Sequence, residues 1–379
     1  MTFKNLINSN KNNTIDILKP KILAVAPMMD WTDRHCRSFH RILSKKAILY
    51  TEMINTGAII YGDRPKHLDF DKDEHPVVLQ LGGSEPADLA QAAKIAQEWG
   101  YDQIDLNCGC PSERVQRGSF GACLMAEPDL VADCVKAMKD VVEIPISVKH
   151  RLGLNEMDPT QEKDYQFVLD FMLKVCDAGA SQLTIHARNA ILKGLSPKEN
   201  RTVPPLRYQV AKQLRTDVKN QFSNVNILLN GGLETNQDIA NHWDDFDGFM
   251  IGRAAYHTPA HLLAWDQMIE SSGQNYGYFL NAQTWKIVEE KLVDYAIRWY
   301  RFCQQSQGKY VFNIAAITRH VLGFAHGIGG SRYWRQILSN HHHLHDVQNE
   351  TQIREFFISA SQTLRIFSDM EKEFSLQDD

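Results

Sequence analysis

Eight short segments rich in β-branched and other apolar residues recur through the first part of the chain. They are ILAVAPM (22–28), AILYTEM (47–53), PVVLQLGG (76–83), QIDLNCG (103–109), ISVKHRLG (146–153), QLTIHAR (182–188), NILLNGG (226–232) and GFMIGRA (248–254). Amphipathic helical patterns lie between them, such as PADLAQAAKIAQEWG (86–100), DLVADCVKAMKDVV (129–142) and YQFVLDFMLKVCDAG (165–179). Strands alternating with helices make parallel βα units, and eight of them predict an α/β fold closed as a TIM (β/α)8 barrel. The rival, a doubly wound open sheet, wants a glycine-rich phosphate turn after the first strand, and APMMDWTD is not one.

The pattern changes near residue 270. SSGQNYGY (271–278) reads as a linker, and only helical periodicity follows it, in four segments separated by SQGKY, GIGG and HHHLHD. This predicts a C-terminal all-α helical bundle domain. The expected division is a flexible N-terminal segment at 1–20, the barrel at 21–268, a linker at 269–282 and the helical domain at 283–379. A length of 379 residues accommodates this at ~100–200 residues per domain.

No apolar run approaches the ~18 residues of a membrane span, and the Asn-rich start lacks a signal-peptide core. Seven cysteines form an odd, scattered set, which suits a reducing compartment. We therefore expect a soluble cytoplasmic protein. The net charge of −5 excludes a globally basic nucleic-acid binder, so a polyanion site has to be a local patch. Such a patch is visible: between Tyr295 and Ser339 there are six Lys/Arg (Arg298, Arg301, Lys309, Arg319, Arg332, Arg335) and no Asp or Glu, with aromatic residues interleaved.

In a barrel, function gathers at the C-terminal ends of the strands. Here those ends carry Pro27-Met28-Met29, Glu52-Met53, Gln80, Asn107-Cys108-Gly109-Cys110-Pro111, Lys149-His150-Arg151, His186-Ala187-Arg188, Asn230-Gly231-Gly232 and Gly252-Arg253. Lys149 can form a Schiff base, hold a phosphate, stabilise charge on a ring, or be an ion-paired structural lysine. The glycine-bearing ends of strands seven and eight suit a phosphate, with Arg253 adding a charged contact. Cys108 reads as a buried small hydrophobe. Cys110, in a Gly- and Pro-flanked turn, is either a working thiol or an inert one. ERVQRGSFGACLM (113–125) reads as a mobile loop able to close over the site. His186 favours a ligand contact, and Lys198 and Arg201 in SPKENR could reach a phosphate backbone. The cluster His341–His343 with His345 lacks supporting carboxylate spacing, and no metal site is expected.

The ordered set APMMDWTDRHCR, TEM, QLGG, DLNCGCP, VKHRLG, HAR, LNGG and MIGR resembles the tRNA-dihydrouridine synthases over nearly the whole chain after residue 20. LSPKENR followed by PPL is similar to the bacterial branch acting on D-loop uridines 20 and 20a. The resemblance implies a flavin enzyme, an NAD(P)H oxidoreductase holding FMN and using NADPH as reductant. Pro27, Met28 and Met29 would line the flavin, and Gln80 would bond its polar edge. Lys149 would stabilise negative charge on the ring, and His186 would contact the cofactor. Asn230, Gly231, Gly232, Gly252 and Arg253 would hold the phosphate. Hydride would pass to uracil C6 and a proton from Cys110 to C5, with Asn107 beside the nucleotide and the base extruded from its stack. The helical domain, through Arg319, Arg332 and Arg335, would bind tRNA together with Lys198 and Arg201. The implied form is a monomer with no obligate protein partner. NEMDPTQEKD after strand five and VKNQFSN before strand seven depart from the pattern and read as surface insertions.

Competing readings are a small-molecule FMN reductase of the dihydroorotate or enoate type, a non-catalytic tRNA-binding factor, and a Schiff-base aldolase using Lys149. The basic helical domain argues against the small-substrate reading, because such a substrate needs no broad cationic surface.

Overall fold

The computed structural model describes residues 20–112, 120–274, 276–278, 280–340, 347 and 349–366. The N-terminal segment at 1–19, the first part of the expected loop at 113–119 and the histidine cluster at 341–345 lie outside the described residues.

Eight parallel strands close into a barrel in sequence order. They are β1 (Ile22–Val25), β2 (Ile48–Asn55), β3 (Val77–Gly82), β4 (Gln103–Cys108), β5 (Ile146–Arg151), β6 (Gln182–His186), β7 (Asn226–Asn230) and β8 (Gly248–Ile251). The ring is completed by β1 against β8, with Ile22 opposite Gly248 and Val25 opposite Ile251. Gly248 has a steric reason to lack a side chain, since an added Cβ would lie 2.4 Å from the Ile22 carbonyl oxygen.

Because side chains alternate across a strand, each strand sends one set outward to the helices and one into the lumen. The outward set is apolar: Leu79 and Leu81 on β3, Ile104 and Leu106 on β4, Leu183 and Ile185 on β6, and Ile227 and Leu229 on β7 join the main core beneath the helices. A small apolar plug of Ala24, Ala26, Tyr50, Val78 and Met250 forms a separate cluster. The alternate positions of β4 to β6 are polar, namely Gln103, Asp105, Asn107, Ser147, Lys149, Arg151, Gln182, Thr184 and His186. Much of the lumen is therefore a hydrogen-bonded network in place of the usual branched-aliphatic filling. Gln182 donates to the Tyr50 hydroxyl at 2.9 Å and Gln103 to the Ser147 hydroxyl at 2.8 Å.

The helices follow the sequence signals. Pro86–Trp99 begins on a proline, buries Leu89, Ala92, Ala93 and Ala96 on one face, and stops at Gly100 in the left-handed conformation. The two segments read as surface insertions are tied in: Arg207 pairs with Asp158 in the first, and Lys219 in the second reaches Asp247 at 3.1 Å. The barrel-side helix Trp265–Glu270 runs two residues past the expected domain boundary at 268, and the long helix Ala282–Gln305 begins at the expected linker end.

That long helix docks on Arg34–Leu43, the first helix of the barrel. His35 Nδ1 lies 2.7 Å from the Tyr295 hydroxyl, the Arg34 guanidinium sits 4.3 Å over the Trp299 ring, and Phe39 meets Phe324 edge to face. Asp33 joins the two units. It caps Arg34–Leu43 by accepting from His35 and Cys36 backbone N–H groups, and it pairs with Arg319 at 2.5 Å and His320 at 3.0 Å. Burial opposes its charge, but His320 and the helix N–H groups win, so its carboxyl lies well below the ordinary 3.8.

Asn caps a helix about as well as Asp, so Asp33→Asn removes the charge with little loss of capping. It is expected to cost about 2 kcal/mol, between exposed and buried ion pairs. A carboxylate whose folded pKa is depressed contributes its full stability above its unfolded value and loses it as pH falls. The urea midpoints of the wild type and the variant should therefore differ at pH 7 and converge as pH falls below 3.8; a gap independent of pH would contradict this.

Candidate active site

The NCGCP turn continues β4 at the C-terminal rim. Asn107 opposes Lys149 in the register, and Cys108 opposes His150. Cys108 points outward, fully buried, and burial pushes its thiol well above the usual range. Cys110 is half-buried and unbridged. Its backbone is held from several sides. Asn107 Oδ1 accepts the N–H groups of Gly109 at 3.1 Å and Cys110 at 3.0 Å. The Cys110 carbonyl accepts Ala122 N–H at 2.9 Å, and Arg151 Nε donates to the Gly109 carbonyl at 3.1 Å. The sulfur lies 3.6 Å from the Ser112 hydroxyl.

Below this turn the inner polar residues connect. Asn107 Nδ2 donates to Gln80 Oε1 at 2.9 Å, and Gln80 Nε2 donates to Asp105 at 2.7 Å. The Ser147 hydroxyl donates to the other oxygen of Asp105 at 2.7 Å. Burial raises the Asp105 carboxyl to about 6, which the hydrogen bonds from Gln80 and Ser147 and the charge of Lys149 oppose. Burial, then the neighbouring Arg151, lowers Lys149 to about 8, with Asp105 pulling the other way.

On the far side of the mouth His186 is buried, and among the described residues neither its Nε2 nor the buried Thr184 hydroxyl has a hydrogen-bond partner. Burial and the charges of Arg151 and Lys149 keep the imidazole neutral, its pKa well below 6.5. Gly231 and Gly232 follow, with φ of +98° and +73°. A Cβ on Gly231 would fall 2.6 Å from His186 Cδ2, and one on Gly232 would fall 2.4 Å from Leu206 and 2.6 Å from the Tyr208 hydroxyl. Tyr208 fixes the turn by donating to the Gly231 carbonyl at 2.7 Å, and Asn230 Nδ2 donates to the Met250 carbonyl across β8 at 2.6 Å. Arg253 follows Gly252 at the end of β8. Burial and then the nearby Arg253 lower the proton affinity of Arg188 and Arg201, and none of the three has a carboxylate partner among the described residues. Like charges gathered beside a tight glycine turn without an acid suit an anionic group. The unpaired His186 nitrogen, the glycine cradle and this cation cluster together fit a phosphate-bearing planar cofactor.

At the start of the barrel, Pro27 and Met28 are half-buried and Met29 is exposed; Met28 N–H bonds the Thr32 hydroxyl at 2.9 Å. Gln80 lies deeper than the rim, at 1% exposure. Arg201 and Lys198 are both exposed, and Arg201 lies within electrostatic range of Cys110 and Arg253.

The helical domain differs from its sequence signature. Its run without acids does not leave its arginines free, because acids come from elsewhere in the chain. Arg298 pairs with Asp71 at 3.5 Å and Asp73 at 3.1 Å, Arg301 with Glu350 at 2.6 Å, and Arg319 with Asp33. Arg332 and Arg335 are exposed on the helix Ser331–Ser339 beside Tyr333, with no acid partner among the described residues. The expected loop also needs correction: its second half, Gly121–Ala126, is a short helical turn with Ala122, Leu124 and Met125 buried, so it belongs to the core.

Three residues do more than the reading of strand ends assigned them. Asp105 sits mid-strand, where only the alternation Gln103-Asp105-Asn107 signals it. Arg151, named there only as part of the end of strand five, is buried and also donates to the carbonyls of Asn189 at 3.1 Å and Asn200 at 2.9 Å, joining the Cys110 turn to the loops after β6. Tyr208 begins a helix and carries no motif.

Comparison with known proteins agrees with this geometry. The family model described as dihydrouridine synthase matches residues 24–361. The chain is 50% identical over 316 residues to the tRNA-dihydrouridine(20/20a) synthase of Pseudomonas aeruginosa, covering 83% of this chain and 88% of that protein. It is 49% identical over 322 residues to the protein of that name from Vibrio parahaemolyticus, covering 85% and 91%. The Xanthomonas axonopodis pv. citri protein of the same name is 49% identical over 321 residues, covering 85% and 89%. A barrel with a cysteine turn after β4, a cationic mouth and a glycine cradle after β7, matched along its length by these relatives, places this chain in the dihydrouridine synthase family.

Proposed function

We propose that this enzyme reduces uridine to 5,6-dihydrouridine in the D-loop of tRNA, at positions 20 and 20a, with FMN as its cofactor and NADPH as reductant. It would act as a monomer in the cytoplasm without an obligate protein partner. The observation that carries the reading is the half-buried Cys110 thiol, held at the lip of a mouth where, among the described residues, Arg188, Arg201 and Arg253 have no carboxylate partner and the buried His186 Nε2 has no hydrogen-bond partner.

FMN bound here would supply hydride chemistry toward C6 of the uracil. His186 would offer its unpaired Nε2 to the ring, and Gly231, Gly232 and Arg253 would hold the phosphate, with Asn230 and Gly252 shaping the turns. Gln80 has one N–H left for the polar edge, and Pro27, Met28 and Met29 would cover a face. Lys149 carries a proton on Nζ below about pH 8 and so places positive charge where negative charge develops. Cys110 would deliver a proton from its sulfur to C5 on the opposite face. A base stacked in tRNA has to be extruded to reach this lip. Asn107 has a spare N–H for a uracil carbonyl, and the cationic Arg201, within electrostatic range of Cys110, favours a base with polar carbonyl oxygens. Exposed Arg332 and Arg335 with Tyr333, and Lys198 from the barrel, offer phosphate and stacking contacts; Arg319 would add to these only with the half of its side chain left exposed beside Asp33.

Cys110→Ala should lower dihydrouridine formation by ~100-fold or more while leaving flavin absorbance intact, scored by nucleoside analysis of tRNA. Wild-type levels of product would remove the thiol from the reaction.

Lys149 loses its charge as pH rises through about 8. The rate of NADPH-driven flavin bleaching should therefore fall over that interval in the wild type, whereas Lys149→Met should be slow and flat. A wild-type rate that rises through that interval would contradict the role.

Replacing Arg332 and Arg335 together by Ala should weaken tRNA binding by ~10-fold and reduce the slope of log affinity against log salt by up to ~2. NADPH-driven flavin reduction, which needs no tRNA, should not change.

A further inference from the structure

The polar chain under the cysteine turn has two ends of fixed chemistry. At its base, ionised Asp105 is fully buried and can only accept; it takes Gln80 Nε2 at 2.7 Å and the Ser147 hydroxyl at 2.7 Å. At its top, the backbone N–H groups of Gly109 and Cys110 can only donate, and both go to Asn107 Oδ1 at 3.1 Å and 3.0 Å. Two amides stand between, and an amide by itself fits either way round. Here neither has a choice. Asp105 requires the Gln80 nitrogen, which turns Gln80 Oε1 to Asn107; Asn107 then donates from Nδ2 at 2.9 Å, which turns its own oxygen up to the turn. Both ends demand the same orientation.

We infer that Asp105 is a positioning residue: as the acceptor at the foot of this chain it fixes the orientation of the Gln80 and Asn107 amides and, through them, the backbone of the Cys110 turn. The inference deepens the proposed reaction and takes its functional meaning from it. Each amide keeps one N–H for ligands, and Gln80 Oε1 keeps one lone pair, in places that do not alternate. Without an acceptor at 105, Gln80 Nε2 loses its partner, the orientation is held from the top alone, and the amides reverse more readily, so the mouth presents a mixture of donors and acceptors. Asp105 does not touch the sulfur, so its hydrogen bonds reach the turn only through these two residues. The competing role, counter-charge for Lys149, makes a different prediction.

Two readouts test the chain: the FMN dissociation constant by flavin fluorescence, and the alkylation rate of Cys110 by iodoacetamide in cofactor-stripped protein, followed on its peptide by mass spectrometry. Asp105→Ala should weaken FMN binding by ~10-fold, the equivalent of one hydrogen bond, and speed Cys110 alkylation several-fold as the turn loosens. Asp105→Asn should stay close to wild type, because its Oδ1 can accept from Gln80 while its Nδ2 donates to the Ser147 hydroxyl, which turns its own proton to the Ile104 carbonyl at 3.3 Å. Gln80→Met should speed alkylation as Asp105→Ala does, and the double variant should add nothing further. Asp105→Asn as defective as Asp105→Ala would assign the effect to charge and overturn the inference. So would an unchanged Asp105→Ala protein or an additive double variant. If Asp105→Ala does not fold, Gln80→Met decides alone, and unchanged alkylation overturns the inference. Alkylation requires neither flavin nor uridine, so a protein that binds no FMN would defeat the proposed reaction while leaving this test intact.

Discussion

Closure of the parallel sheet puts every second residue of each strand into a lumen that water does not freely enter, and a polar group there has to be paired. On the strands β4 to β6 that obligation falls on Gln103, Asp105, Asn107, Ser147, Lys149, Gln182 and others, and most of it is met inside the barrel. The interior network stiffens the floor of the site, and its upper members emerge at the rim with valences to spare. The same alternation buries Cys108 against the helices. Cys110, two residues on and past the strand end, stays half-buried at the rim.

The electrostatics of the mouth follow from this arrangement. Lys149, Arg151, His186, Arg188, Arg201 and Arg253 crowd one end of the barrel, with Asp105 beneath. Burial reduces the cost by weakening charge on the lysine and holding the histidine neutral, and Arg151 donates to three backbone carbonyls. What remains is a cationic opening suited to a phosphate and an electron-accepting ring. The helical domain is attached by charge and aromatic contact around Asp33, His35 and Trp299, so part of its basic content is structural and the helix Ser331–Ser339 carries the part that stays free.

Much of the fold was legible because parallel strands covered on their outer faces leave strong marks. The eight apolar segments, their order and the polar or glycine residues at their ends coincide with the observed strands within a few residues. The cysteine turn and the glycine pair after β7 were legible for a related reason: NCGCP and NGG occur where a βα loop begins, and a barrel brings all such loops to one end. Asp105 was not legible from strand ends, since a mid-strand acid matters only when its inward direction and its amide neighbours are known. Arg298, Arg301 and Arg319 misled because the absence of acids nearby in the chain says nothing about Asp73, Glu350 or Asp33 arriving from distant segments.

The sequence by itself determined which residue types stand at which strand positions, and therefore the barrel, its functional end and the thiol, lysine, histidine and glycines gathered there. Tertiary structure alone decided which charges are free. It also decided that Gly121–Ala126 packs into the core and that two freely reversible amides are held in one orientation. Periodicity is local information carried by the backbone, whereas pairing of charges and hydrogen bonds depends on which distant groups the closed barrel and the docked helices bring within 3 Å of one another.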